Sequence, residues 1–126
     1  MAIDNTRFGT VLLVEDESDV RETLADILKW EGYGVFEAAN GRDALATLRG
    51  AAKPCLIILD LMMPVMNGWE FSRRKAADPE FADVPMVIVS GVTGLEPEAV
   101  KLGAKAVIAK PVDLPSLLRT VGDYCR

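Results

Sequence analysis

The sequence predicts an α/β domain, a doubly wound three-layer sandwich with one parallel sheet between two layers of helices. Three observations lead there. Five short apolar runs recur along the 126 residues, each with the length and turn boundaries of a strand buried on both faces. The segments between them carry apolar residues at helical spacing. Strands alternating with helices call for parallel pairing and right-handed crossovers.

The first run is Thr10–Val14 (T-V-L-L-V), ending in the acids Glu15, Asp16 and Glu17. Ser18 is placed to cap the next helix, whose apolar positions Val20, Leu24, Ile27 and Leu28 share one face. Gly32 and Gly34 stop that helix around Tyr33. Gly34–Ala38 carries Val35 and Phe36, which favour a strand. Asn40-Gly41 then turns into a second helix with Ala44, Leu45 and Leu48 inward. Lys53-Pro54 opens the central strand, residues 55–59 (C-L-I-I-L), which runs into Asp60. Pro64 and Asn67-Gly68 bar continuation and lead to a third helix, W-E-F-S-R-R-K-A-A, stopped near Asp78-Pro79. Pro85 leads into M-V-I-V and then Ser90-Gly91. A fourth helix over residues 96–102 closes at Gly103. The run A-V-I-A ends in Lys110-Pro111, and Leu114, Leu117, Leu118 and Val121 form the inner face of a last helix. Trp30 and Trp69 are expected to pack partly into helix faces.

Half of the residues are hydrophobic, enough for one domain with a single core. The expected organisation is a short extension over residues 1–9 and one domain over residues 10–126, with no linker or further domain. No stretch reaches the roughly 18 to 20 apolar residues of a membrane span, and the first ten residues lack the blocks of a signal peptide. A soluble, cytoplasmic protein without membrane contact is expected. The two cysteines, Cys55 and Cys125, make no disulfide framework. The chain has no histidine, which excludes a histidine-ligated metal, a Ser-His triad and an internal phosphohistidine. A net charge of -5 without a basic run argues against a direct grip on nucleic acid. No G-x-G-x-x-G follows a strand, so a dinucleotide site has no anchor.

In a parallel sheet the C-terminal strand ends meet along one edge, where open α/β sheets place their chemistry. Here those ends bring Glu15 and Asp16, Asp60, Ser90 and Lys110. Three crowded carboxylates repel one another unless a cation offsets them. A hard divalent ion that takes oxygen ligands and keeps waters does so, Mg²⁺ being the usual choice. With Lys110 as a fixed charge and Ser90 as a hydroxyl donor, the set suits a phosphoryl group held on Asp60 as an acyl phosphate. Singly, each residue has a plainer explanation: acids at a helix start, a serine in a turn, a solvated lysine. Complementary chemistry at four separate strand ends outweighs these.

The blocks V-L-L-V-E-D-E, L-I-I-L-D-L-M-M-P-V-M-N-G, V-I-V-S-G and A-K-P, in this order, resemble the receiver domain of two-component response regulators. The resemblance covers about residues 10–124. It implies a flavodoxin-like fold with a parallel sheet of order 2-1-3-4-5. It also implies Mg²⁺-dependent transfer of a phosphoryl group to Asp60 from the phosphohistidine of a sensor histidine kinase or histidine phosphotransfer protein. In this scheme Asp16, Asp60 and the backbone carbonyl of Met62 ligate Mg²⁺, and Glu15 acts through a metal-bound water. Ser90 bonds the phosphoryl oxygen and draws its loop inward, and Lys110 pairs with the same group. Val20, Leu24 and Pro111 become candidates for kinase contact. A downstream protein target, which the sequence does not name, and a phosphorylation-dependent dimer complete the implied partners.

Two departures bear on mechanism. Many members carry Tyr or Phe three residues before the lysine as a second switch residue, and here Val107 stands there. Met62 and Val92, two residues past Asp60 and Ser90, occupy positions where polar side chains help to place an attacking water, which implies slow hydrolysis of the acyl phosphate. Glu15 in place of the commoner Asp keeps the carboxylate. Three alternatives stand beside a free-standing receiver. One is a receiver excised from a longer regulator or hybrid kinase, and another is a pseudo-receiver that binds partners unphosphorylated. The third is an aspartyl phosphohydrolase, which would want an acid where Met62 lies.

Overall fold

Five apolar runs and five amphipathic stripes resolve into an alternating series in the computed structural model, which describes residues 6–50 and 53–126. The order is β1 (Thr10–Val14), α1 (Ser18–Trp30), β2 (Gly34–Ala38), α2 (Gly41–Gly50), β3 (Leu56–Asp60), α3 (Gly68–Ala77), β4 (Met86–Ser90), α4 (Glu96–Lys101), β5 (Ala106–Ala109) and α5 (Leu114–Cys125). All pairings are parallel and the sheet order is β2-β1-β3-β4-β5. The doubly wound, flavodoxin-like fold read from the sequence is therefore the observed one.

Strand side chains alternate between faces, and the core divides accordingly. Leu12, Val14, Ile57, Leu59, Met86 and Ile88 pack with residues of α2, α3 and α4, among them Leu45, Leu48, Phe71 and Ala99. Val11, Leu13, Leu56, Ile58, Val87 and Val89 pack with Leu24, Leu28, Leu117 and Val121 of α1 and α5. β1, β3 and β4 are covered on both sides, which is why they read as unbroken apolar runs. Val107 lies in β5, an edge strand, opposite Ile88.

Several local expectations are corrected. Ser18 is the first helical residue of α1, and the cap position falls on Glu17, whose side chain makes no capping bond. Trp30 is 88% exposed: two residues beyond the buried Leu28, it projects about 200° around the helix from the packed face. Trp69 is half-buried, as expected, and its indole Nε1 donates to Glu98 Oε1 at 2.6 Å, joining α3 to α4. Leu114 is exposed at the start of α5 rather than inward. Cys55 precedes β3 instead of lying within it. The two cysteines, 70 residues apart, form a disulfide, because α5 runs back to the sheet edge where β3 begins.

Of the anticipated extension, Met1 to Asn5 lie outside the described residues, while Arg7 and Phe8 donate backbone hydrogen bonds to Gly32 O at 2.8 and 3.0 Å. Among the described residues no helix is long and apolar enough to cross a membrane.

Gly68 holds the loop after β3 against the strand end. A Cβ there would lie 2.7 Å from Leu61 Cα and 3.0 Å from Asp60 O, inside backbone contact distance. Gly68→Ala is expected to cost about 1–3 kcal/mol in urea unfolding and to shift the amide resonances of residues 60–62. A variant of unchanged stability and spectrum would show that this close approach does not constrain the loop.

Candidate functional site

The C-terminal ends of four strands form one pocket. Glu15 follows β1 and is kept in the sheet by its backbone N–H, which donates to Ala38 O at 3.0 Å. Asp60 ends β3, Ser90 ends β4, and Lys110 follows β5 with its N–H on Ser90 O at 2.9 Å. Glu15, Asp60 and Ser90 are buried, and Asp16 is half-buried.

Lys110 Nζ donates to Glu15 Oε1 at 2.6 Å and to Asp60 Oδ2 at 3.1 Å. The other Asp60 oxygen, Oδ1, accepts from Met62 N–H at 3.0 Å, which folds the loop over the strand end. Glu15 Oε2 accepts from Glu17 N–H at 3.2 Å. Both carboxylates are thus held at both oxygens, as burial of a charge requires. One oxygen from each of Glu15, Asp16 and Asp60 lies within 4.8 Å of the others. Three carboxylates against one ammonium leave the cluster negative, and the donors are all hard oxygens. That donor set fits a hard divalent cation such as Mg²⁺.

Burial works to lower the Lys110 ammonium, but its bonds to Glu15 and Asp60 and their charges outweigh this and raise its pKa above the ordinary lysine value. The stabilisation from this pairing is full below the ordinary lysine range and is lost only as pH rises through the higher folded value. Asp16 is raised above the usual aspartate value by burial, then by a hydrogen bond with Glu15 and that residue's like charge. Its contribution has the opposite sense to that of a salt-bridged carboxylate: favourable below the ordinary aspartate range and lost as pH rises through the folded value. Ionising Asp16 therefore carries a local cost, which a bound cation would relieve.

The pocket brings together Glu15, Asp16, Asp60, Lys110 and the Met62 backbone N–H. Ser90 is 1% exposed beside them, but its Oγ accepts from Val92 N–H at 3.1 Å within its own loop. Val107 is partly buried against the α2–α4 side of the core. Sequence reasoning missed Arg21, whose Nη1 donates to Glu15 O at 2.9 Å while Nε lies 3.5 Å from Glu37 Oε1. An arginine one turn into an amphipathic helix carries no signal of that role. Beside the pocket, Val20, Leu24, Ile27, Pro111, Val112 and Leu114 line an apolar groove of about 440 Å³ between α1 and the β5–α5 connection.

Comparison with known proteins agrees with this geometry. The family model of the response regulator receiver domain matches residues 11–122. The chain is 33% identical over 116 residues to protein PilH of Pseudomonas aeruginosa, covering 88% of this chain and 93% of that one. It is 32% identical over 114 residues to sporulation initiation phosphotransferase F of Bacillus subtilis, covering 90% and 91%. Chemotaxis response regulator CheY4 of Vibrio cholerae superposes with a TM-score of 0.83 at 32% identity, over 91% of this chain and 97% of that one. A response regulator receiver protein from Pseudomonas putida gives 0.84 at 32% identity, over 90% and 95%. With the family match spanning nearly every element and the strand-end acids and lysine in one pocket, the chain belongs to the receiver domains of two-component response regulators.

Proposed function

We propose that Asp60 accepts a phosphoryl group from a phosphohistidine on a sensor histidine kinase or histidine phosphotransfer protein, and that the modified domain presents a changed surface to a downstream protein. The observation that carries this reading is a buried carboxylate at a strand end, set between further acids and a lysine ammonium. One Asp60 oxygen forms the bond to phosphorus. The phosphorus–nitrogen bond of the donor breaks, and its electron pair returns to the imidazole, which takes up a proton. The donor must come from outside, because this chain has no histidine.

In this proposal Asp16, Asp60 and the Met62 carbonyl hold Mg²⁺, with Glu15 acting through a water. The ion, when bound, offsets negative charge on the transferring oxygens. Lys110 passes from the Asp60 carboxylate to the phosphoryl group and supplies fixed charge where negative charge develops. Ser90, whose Oγ accepts from Val92 N–H, donates its hydroxyl proton to a phosphoryl oxygen, drawing residues 91–94 inward and biasing a two-state equilibrium. Val107 has no ring to swing, so this reading places the switch on the Ser90 loop. The groove between α1 and the β5–α5 connection supports donor docking beside Asp60. A cytoplasmic location, where a kinase has its nucleotide, belongs to the same proposal.

Intact mass after incubation with acetyl phosphate and Mg²⁺ tests the acceptor. One added phosphoryl group is expected in the wild type, with none in Asp60→Ala or with chelator. A folded wild type that takes up none, and that also fails to bind beryllofluoride, would favour a binding module that is never phosphorylated.

Met62 and Val92, two residues past Asp60 and Ser90, are 59% and 49% exposed, and neither side chain can orient a water by strong hydrogen bonding. The acyl phosphate is expected to persist for minutes or longer, and Met62→Asn with Val92→Glu to shorten its life several-fold. A wild-type half-life of seconds would show that these positions do not protect it.

A further inference from the structure

We infer that Cys55 and Cys125 form a reversible thiol–disulfide couple, a second chemical site on the sheet edge opposite Asp60, whose oxidation state clamps or frees the end of α5. The Cα atoms are 5.4 Å apart, within the usual range for a disulfide. Cys55 sits just ahead of β3, and Cys125 is the last residue of α5.

Both cysteines are also held by bonds that do not involve sulfur. Cys55 N–H donates to Thr10 O, and Gly9 N–H donates to Cys125 O, each at 3.0 Å. Gly9 and Thr10, the first residue of β1, therefore grip the two partners separately. The Arg126 guanidinium lies 4.9 Å from the centre of the Phe8 ring, which packs on Tyr33 at 5.3 Å between centroids. These contacts keep the thiols adjacent when the bond is open, so that it re-forms in place. Gly9 completes the arrangement: a Cβ there would lie 2.8 Å from Cys55 Sγ, so a side chain would push the bridge apart.

The domain is large enough, with both faces of its sheet packed, to fold without a staple. In the cytoplasmic setting proposed above, on which this inference rests, disulfides are mostly transient and redox-sensing. A small-molecule disulfide such as oxidised glutathione balances the step. One cysteine thiolate attacks it, its sulfur–sulfur bond breaks and one thiol leaves. The other cysteine thiolate then attacks the mixed disulfide and expels the second. The protein gives up two protons and two electrons, and the oxidant takes them up as two thiols. The bond closes a long loop against unfolding and ties the last turn of α5 to β3, the strand that ends in Asp60.

The full chain would be equilibrated across reduced-to-oxidised glutathione ratios, its free thiols trapped with N-ethylmaleimide and counted by intact mass, and each sample melted. Both cysteines are expected to pass together from two adducts to none while the chain stays folded. The oxidised form should melt about 10 °C higher and exchange the amides of the last α5 turn more slowly. Cys55→Ser/Cys125→Ser should be indifferent to the ratio. A bond that persists in excess reduced glutathione would make the pair a permanent staple, and free thiols throughout would mean no bond forms; either result overturns the couple. Neither readout involves Asp60, so failure of the phosphoacceptor assay would be seen separately.

Discussion

Glu15 and Asp60 arrive at one place from neighbouring strands, both nearly stripped of water, and Lys110 reaches between them from beyond the edge strand. Two buried carboxylates this close are tolerable only with a cation and with their remaining lone pairs occupied. β5 lies two strands from β3, about 10 Å at ordinary strand spacing, so only a long cationic side chain makes the connection. The intervening strand, β4, ends on the small Ser90. The geometry of the pocket therefore follows from strand order and from which residue each strand ends on.

The pairing also sets the charge balance of the site. Lys110 balances Glu15 and Asp60 but leaves Asp16 raised by burial and by its acidic neighbour. The site is thus charged toward a divalent cation while its central carboxylate remains held at both oxygens. In the proposed reaction a phosphoryl group on Asp60 would compete for Lys110, and the Ser90 hydroxyl, whose Oγ accepts from Val92 N–H, would turn to it. Under that proposal the change of charge would reach the loop that leads into α4, the helix to which Trp69 and Glu98 tie α3.

Much of this was legible in the sequence because burial on both faces writes itself as unbroken apolar runs, as in residues 56–59, and because four of the five runs lead into a chemically distinctive residue. Features set by the third dimension were not legible. The Cys55–Cys125 bridge depends on where α5 ends relative to the start of β3, which no spacing reveals over 70 residues. Trp30 looked like a packing residue, but its angular position on α1 carries it to solvent. Ser18 has capping chemistry, yet Glu17 takes the cap position. Gly68 read as a turn residue, whereas its missing side chain serves a close approach to Leu61. Arg21 belongs to the site through a backbone carbonyl, a contact that no side-chain pattern encodes.

The most direct test of the central claim is the side-chain ammonium resonance of Lys110, followed in ¹⁵N-labelled protein as Mg²⁺ and beryllofluoride are added. Beryllofluoride stands in for the phosphoryl group on Asp60. If Lys110 holds the carboxylates together and then turns to the incoming group, its signal should be protected at the outset and shift on addition, with no change in Asp60→Asn. A bound adduct that leaves the Lys110 signal unmoved would contradict that account.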